Sequence, residues 1–192
     1  SRLLVFAYHR IVPKPDSMLQ GEVTAAAFDS QTGWLARHAT VLTLPDAIER
    51  WRRGKLPRRA ACITFDDGYL SNFETALPIL QRWQVPATFF IATGFLDGGR
   101  MWNDTIIEAT RRTSVAAFDL SDYGLGRVAI DAERPVLADQ LLDALRRLPY
   151  DQRERCVAAI ATQSRVDLPN DLMMTSEQVR QLARLGMDLG GH

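Results

Sequence analysis

Lysine is almost missing from this 192-residue chain: of 23 basic residues, only Lys14 and Lys55 are lysines. That skew reads as a coding bias and carries no function. Cysteine is equally scarce, and a pair, Cys62 and Cys156, excludes a disulfide framework. Cys62 falls inside an apolar run and Cys156 shares an apolar helical face with Val157 and Ile160, so both read as small buried residues. They leave the redox compartment open, because a domain of this size needs no disulfide. No apolar run reaches the length that crosses a bilayer. The formal net charge is zero, so no global field draws the chain toward nucleic acid or an anionic membrane. Internal repeats and low-complexity segments are missing, and nothing in the sequence speaks to oligomeric state. The chain begins at Ser1 without methionine, as a processed or engineered product would. It stops at Gly190-Gly191-His192, in what reads as a strand leading into a loop, which suggests a fragment.

What is present is ordinary for one globular domain, with 46% apolar and 24% charged residues. Leu3 to Tyr8 is a near-continuous apolar run, the pattern of a strand buried on both faces. A loop with Pro13, Pro15 and Gly21 follows, then a helix through Phe28, Trp34 and Leu35 that Gly33 weakens. His38 closes that helix as a surface or capping residue. Val41 to Leu44 reads as a short strand. Pro45 to Arg53 reads as a helix with Ile48 and Trp51 on its inner side and Gly54 at its end. Ala60 to Phe65 is a buried strand. Phe73 to Gln84 is helical, with Pro78 bending it or starting a fresh turn. Pro86 to Ala92 is another strand. From about 98 to 170 the pattern becomes mainly helical, with a small hairpin over 118–130 and leucine-striped helices after it. Thr175 and Gln178 then form a capping box, Gly186 closes that helix, and a last strand leads to His192.

Strands alternating with helices predict a parallel α/β sheet or barrel, whose functional groups gather at the C-terminal strand ends. His9, Asp66, Asp67 and Thr93 all fall at such ends. The basic cluster from Arg50 to Arg59 complements a helix C-terminus and a solvated loop, with no aromatic interleaving to suggest nucleic acid.

The organising stretch is Ile63 to Tyr69, where a buried strand runs into Asp66, Asp67 and Gly68. Adjacent carboxylates repel each other and resist desolvation, so they persist most readily where a metal ion or a proton compensates them. Capping of the following helix is the plainer reading, but the strand before and the helix after favour chemistry. Zinc accepts carboxylate oxygen together with imidazole nitrogen, so Asp67 and His192 are candidates to share a divalent metal.

Thr64-Phe65-Asp66-Asp67-Gly68-Tyr69 resembles the first motif of the polysaccharide deacetylases (the NodB-homology domain, carbohydrate esterase family 4). Leu189-Gly190-Gly191-His192 resembles the opening of their second motif. The helix from Met174 to Leu182, the early Tyr8-His9-Arg10, the strand Pro86 to Phe90 and Trp102-Asn103-Asp104 also fit that family. The resemblance implies a distorted TIM-like (β/α)7 barrel, incomplete in this chain, with a mainly helical insertion at about 98–170. It implies Zn2+ or another divalent metal, held by Asp67, by His192 and by a second histidine expected beyond the chain end. Asp66 resembles the general base. The implied activity is metal-dependent hydrolysis of N-acetyl groups on a polysaccharide or glycan. The alternatives are an acetyl-ester or cyclic-amide hydrolase on the same fold, or a catalytically silent glycan-binding module. The implied location is extracytoplasmic or associated with the cell envelope. His9 is a candidate for sugar contact or for a neighbouring hydrogen bond, and Tyr69 for the substrate groove or for packing. With one ligand short, the 192-residue product is expected to bind zinc weakly and to be inactive.

Overall fold

The computed structural model describes residues 2–130 and 133–192; Ser1 lies outside them. The described residues run β1 (Leu3–Tyr8), β2 (Ile11–Val12), β3 (Val23–Thr24), α1 (Ala25–His38), β4 (Thr40–Val41), α2 (Leu44–Arg52) and β5 (Ala60–Phe65). A π-helical turn (Asn72–Ala76), α3 (Leu77–Trp83) and β6 (Thr88–Ile91) come next, followed by α4 (Trp102–Arg112), β7 (Ala117–Leu120) and β8 (Gly126–Ala129). The chain closes with α5 (Arg134–Arg146), α6 (Tyr150–Ser164), α7 (Ser176–Arg184) and β9 (Asp188–Gly191).

Two compact units emerge. The first takes in the chain up to Pro15, Gly21–Gly99 and Asp171–His192. Its main sheet is wholly parallel, in the order β1-β5-β6-β9. Because β1 occupies one edge of β5 along its whole length, β4 and β6 share the other. Thr40 and Val41 pair with Ala60 and Ala61, and Thr64 and Phe65 pair with Thr88 and Phe89. The side chains of β5 alternate between two apolar clusters, as the period of a strand requires. Ala61, Ile63 and Phe65 join Phe28, Leu77, Leu80 and Leu182 from α1, α3 and α7, whereas Ala60 and Cys62 pack with Leu42, Ala47 and Leu56 around α2. An aromatic ladder crosses the first cluster. Phe65 stacks on Phe89 at 4.7 Å and on Tyr8 at 5.6 Å, and Phe28 meets both Tyr8 and Phe65 edge-on.

Several expectations need correction. β1 is an edge strand paired with β5 alone among the described residues, so Leu4 and Val5 are exposed rather than buried on both faces. The strand expected from Val41 to Leu44 is β4, which stops at Val41, because Thr43 already occupies the N-cap position of α2 and Pro45 sits in that helix's first turn. α2 has about two and a half turns and buries Ala47 in the middle one, leaving Trp51 63% exposed. Gly33 is more than a weak point in α1. A Cβ there would lie 2.6 Å from Trp83 Cζ2, so glycine lets α3 approach α1, and Trp83 Nε1 donates to Asp29 at 2.6 Å. Pro78 starts a fresh turn: the π-helical turn ends at Ala76 and α3 begins with the proline in its first turn. The capping box at Thr175 and Gln178 and the left-handed Gly186 are present as expected.

The second unit comprises Asp16–Gln20 and Arg100–Asn170. Ile106, Phe118, Leu141, Leu145, Cys156 and Ile160 form its core, with β7 and β8 paired as an antiparallel hairpin. Asp16–Gln20 has no helical or strand signal of its own. It joins this unit through Arg111, which donates to both Asp16 oxygens at 3.0 and 2.8 Å, and through Met18 packed with Ile107 and Ala138.

Both cysteines are free and fully buried, and burial pushes each thiol up to about 11. Thiolates are the reactive form. Titration with a disulfide reagent at pH 8 should therefore find no fast thiol in the native protein and both after denaturation.

Candidate active site

β5 places two carboxylates where its hydrogen-bond ladder ends. Asp66 N donates to Tyr8 O at 2.9 Å, continuing the β1–β5 ladder one residue past Phe65. Gly68 N then turns back to donate to Asp66 O at 2.9 Å. This three-residue turn is centred on Asp67, whose φ is +72°, with Gly68 at +87°. A positive φ is costly for a residue with a Cβ, and Asp and Asn tolerate it better than other side chains. Gly68 is needed twice, since a Cβ on it would also meet Ile91 Cγ2 at 3.3 Å. The turn is thus sharper than one relying on Gly68 alone, and it interrupts the alternation by which a continuing strand would send the two neighbours to opposite faces.

Backbone hydrogen bonds carry this turn across to β9. Asp67 O accepts from Ala92 N at 3.1 Å, and Ile91 O accepts from His192 N at 3.1 Å. Gly190 makes room in β9, because a Cβ there would lie 2.7 Å from the Phe90 ring. The outcome is that His192 Nε2 lies 3.3 Å from Asp67 Oδ1. The Asp67 side chain is 13% exposed and His192 46%. One hard oxygen and one borderline nitrogen therefore face the same point, with the histidine open to solvent. Among the described residues no group of three or more His, Cys, Asp or Glu side chains converges as a metal site. The pair offers two donors of the type zinc accepts, one fewer than the three protein ligands usual at a catalytic zinc.

The other candidates separate. Asp66 is partly buried and lies outside the Asp67–His192 contact. His9 is exposed at the end of β1. Tyr69 is 3% exposed, with the Arg10 guanidinium 3.7 Å above its ring centroid and an isolated antiparallel bridge to Met173. Its ring is a packing surface for Arg10. Arg10 itself is buried, and its amide donates to Glu22 at 3.2 Å. Sequence reasoning missed it as a neighbour of the turn, although its place after His9 at a strand end was the available signal. Thr93 opens a short 3-10 turn after β6 and is exposed.

The sequence predicts a helix from Met174, but α7 starts at Ser176 after the Thr175 cap, and the segment before it pairs with the turn instead. Leu70 N donates to Leu172 O at 2.8 Å and Met174 N to Gly68 O at 3.0 Å, so this segment lies along the turn as a short antiparallel partner.

A sequence model of the family described as Polysaccharide deacetylase matches residues 53–117. A poly-beta-1,6-N-acetyl-D-glucosamine N-deacetylase of Staphylococcus epidermidis is 30% identical over 133 residues, covering 62% of this chain and 46% of that protein. The protein of the same name from Staphylococcus aureus is 42% identical over 73 residues, 38% of this chain and 25% of its own length. Among solved structures, a de-N-acetylase from Aggregatibacter actinomycetemcomitans superposes with a TM-score of 0.55 at 20% identity, covering all of this chain and 55% of that one. A Streptococcus pyogenes deacetylase superposes with a TM-score of 0.54 at 14% identity, covering 99% of this chain and 55% of that one. The chain thus spans about half the length of these relatives or less. The shared fold is a distorted TIM-like α/β barrel, to which the parallel sheet of the first unit belongs.

Proposed function

Because this chain belongs to the polysaccharide deacetylase family, we propose that Asp66, Asp67 and His192 serve the metal-dependent removal of N-acetyl groups from a glycan. The observation that carries the proposal is the approach of Asp67 Oδ1 to His192 Nε2, 3.3 Å apart, at the C-terminal ends of β5 and β9. A divalent ion such as zinc, when bound, supplies Lewis acidity for the amide carbonyl and lowers the pKa of water at the site. Asp67 and His192 would hold it. Asp66 precedes Asp67 in the chain and takes no part in that contact, so in this reading its lone pairs stay free to take a proton from the attacking water. The water oxygen forms the new bond to the acetyl carbon, the C–N bond breaks, and the nitrogen leaves as an amine once it gains a proton. Acetate and a free amino sugar are the products.

The relatives point to β-1,6-linked N-acetylglucosamine polymers as the substrate class. A polymer of that kind fits an extracytoplasmic or cell-envelope location. Among the described residues no helix is long and apolar enough to cross a membrane. The direct test is acetate release from a β-1,6-N-acetylglucosamine oligomer by protein carrying these residues, with zinc supplied. Equal amounts of acetate and free amine are expected. Release that ignores a chelator, or that occurs only from acetyl esters, would count against the proposal.

A further inference from the structure

Asp97 is an exposed carboxylate that the proposed chemistry leaves unused, yet the backbone holds it at φ +60°. A left-handed residue other than glycine is costly and persists where its surroundings over-determine it. The surroundings here are specific. Asp97 Oδ1 accepts from Ser176 N at 2.8 Å and Oδ2 from Ser176 Oγ at 2.5 Å, which holds the carboxyl below the usual carboxylate range. Asp97 N also donates to Met174 O at 3.3 Å. Met174 is fully buried and bonded from both sides, because its own N–H goes to Gly68 O at 3.0 Å. A continuous path of hydrogen bonds therefore runs from the Asp97 amide through Met174 to Gly68, the residue after Asp67, while the Asp97 carboxylate anchors the path to Ser176.

We propose that Asp97 is a positioning residue: by clamping Ser176 and Met174 it holds the Asp67–Gly68 turn in the geometry that aims the Asp67 carboxylate at His192. Its consequence for a metal rests on the reading of Asp67 as a ligand. The competing role is simple capping, since Ser176 N is one of the free donors in the first turn of α7. The two roles part company at Ala92. Its amide donates to Asp67 O at 3.1 Å and so reports where the turn sits, whereas the Leu182 amide inside α7 reports the helix.

Three variants separate backbone from clamp. Asp97→Gly accepts the positive φ and removes both carboxylate bonds. Asp97→Asn accepts that φ and keeps a side chain able to bond Ser176. Asp97→Ala loses both. Native-state hydrogen exchange should show the Met174 and Ala92 amides about 10-fold faster in Asp97→Gly, the Leu182 amide unchanged, and recovery in Asp97→Asn. Asp97→Ala should match or exceed Asp97→Gly. Zinc affinity, read by titration calorimetry, should fall about 10-fold or more in Asp97→Gly, within the range seen when groups that orient ligands are lost. Unchanged Ala92 exchange in Asp97→Gly, or acceleration confined to α7, would overturn the positioning role. If Asp67→Asn binds zinc as the parent does, the ligand reading has failed instead, and the Ala92 result still decides the role of Asp97.

Discussion

Phe65→Ala should lower the stability of the protein by about 3–5 kcal/mol, the usual cost of emptying a buried phenylalanine site. Phe65 is fully buried, stacks between Tyr8 and Phe89, and meets Phe28 edge-on, so its removal opens a cavity at the centre of the aromatic ladder. The neighbours come from β1, α1 and β6, and a hole bounded by three elements collapses poorly. For a chain of this size each kcal/mol moves the melting temperature by about 2–4 °C, so a fall of roughly 6–20 °C is expected in calorimetry. Phe65→Leu, which refills most of the volume, should lose less than half as much in guanidinium unfolding. Equal losses for the two variants would mean that the ring contacts of the ladder, rather than its hydrophobic volume, carry the stabilisation.

The second large effect concerns the adjacent carboxylates. Asp67→Asn keeps the side-chain shape and tolerates φ +72°, so the fold should survive while one of two donors loses its charge. Zinc affinity should fall by about 100-fold or more, beyond the range that groups merely orienting a ligand produce. Asp66→Asn should leave zinc affinity within about 3-fold of the parent, while turnover in protein carrying these residues falls by about 100- to 10,000-fold, the worth of a general base. Calorimetric zinc titration and acetate release read the two effects separately. Loss of zinc from Asp66→Asn, or a large residual activity in it, would contradict the division of roles.

The legibility of this molecule in its sequence follows the range of the interactions involved. β5 and the turn after it were plain, because six apolar residues running into two aspartates and a glycine is a local pattern. The capping box at Thr175 and the left-handed Gly186 were plain for the same reason. His192 became a candidate through its place at a strand end and through the motif it shares with a family; only the fold brings it to Asp67. Asp97 left no trace, since its partner Ser176 lies 79 positions away and an aspartate in a loop signals nothing by itself. Gly33 read as a helix defect because Trp83, the ring it accommodates, belongs to another helix. Leu4 and Val5 read as buried because composition cannot distinguish an edge strand from a central one. At the turn, attention went to Gly68, the residue usually found at positive φ, and missed that Asp67 shares that conformation.

That shared conformation bears on how the two aspartates can vary. In a library selected only for folding and display, with no demand for catalysis or metal, position 66 would be free to drift. Position 67 would not, because most β-carbon-bearing replacements pay the left-handed penalty, and survivors should concentrate in Asp, Asn and Gly. Two neighbouring residues with similar chemistry thus sit under different filters: one is restricted only by the chemistry proposed for it, the other also by the shape of the chain beneath it.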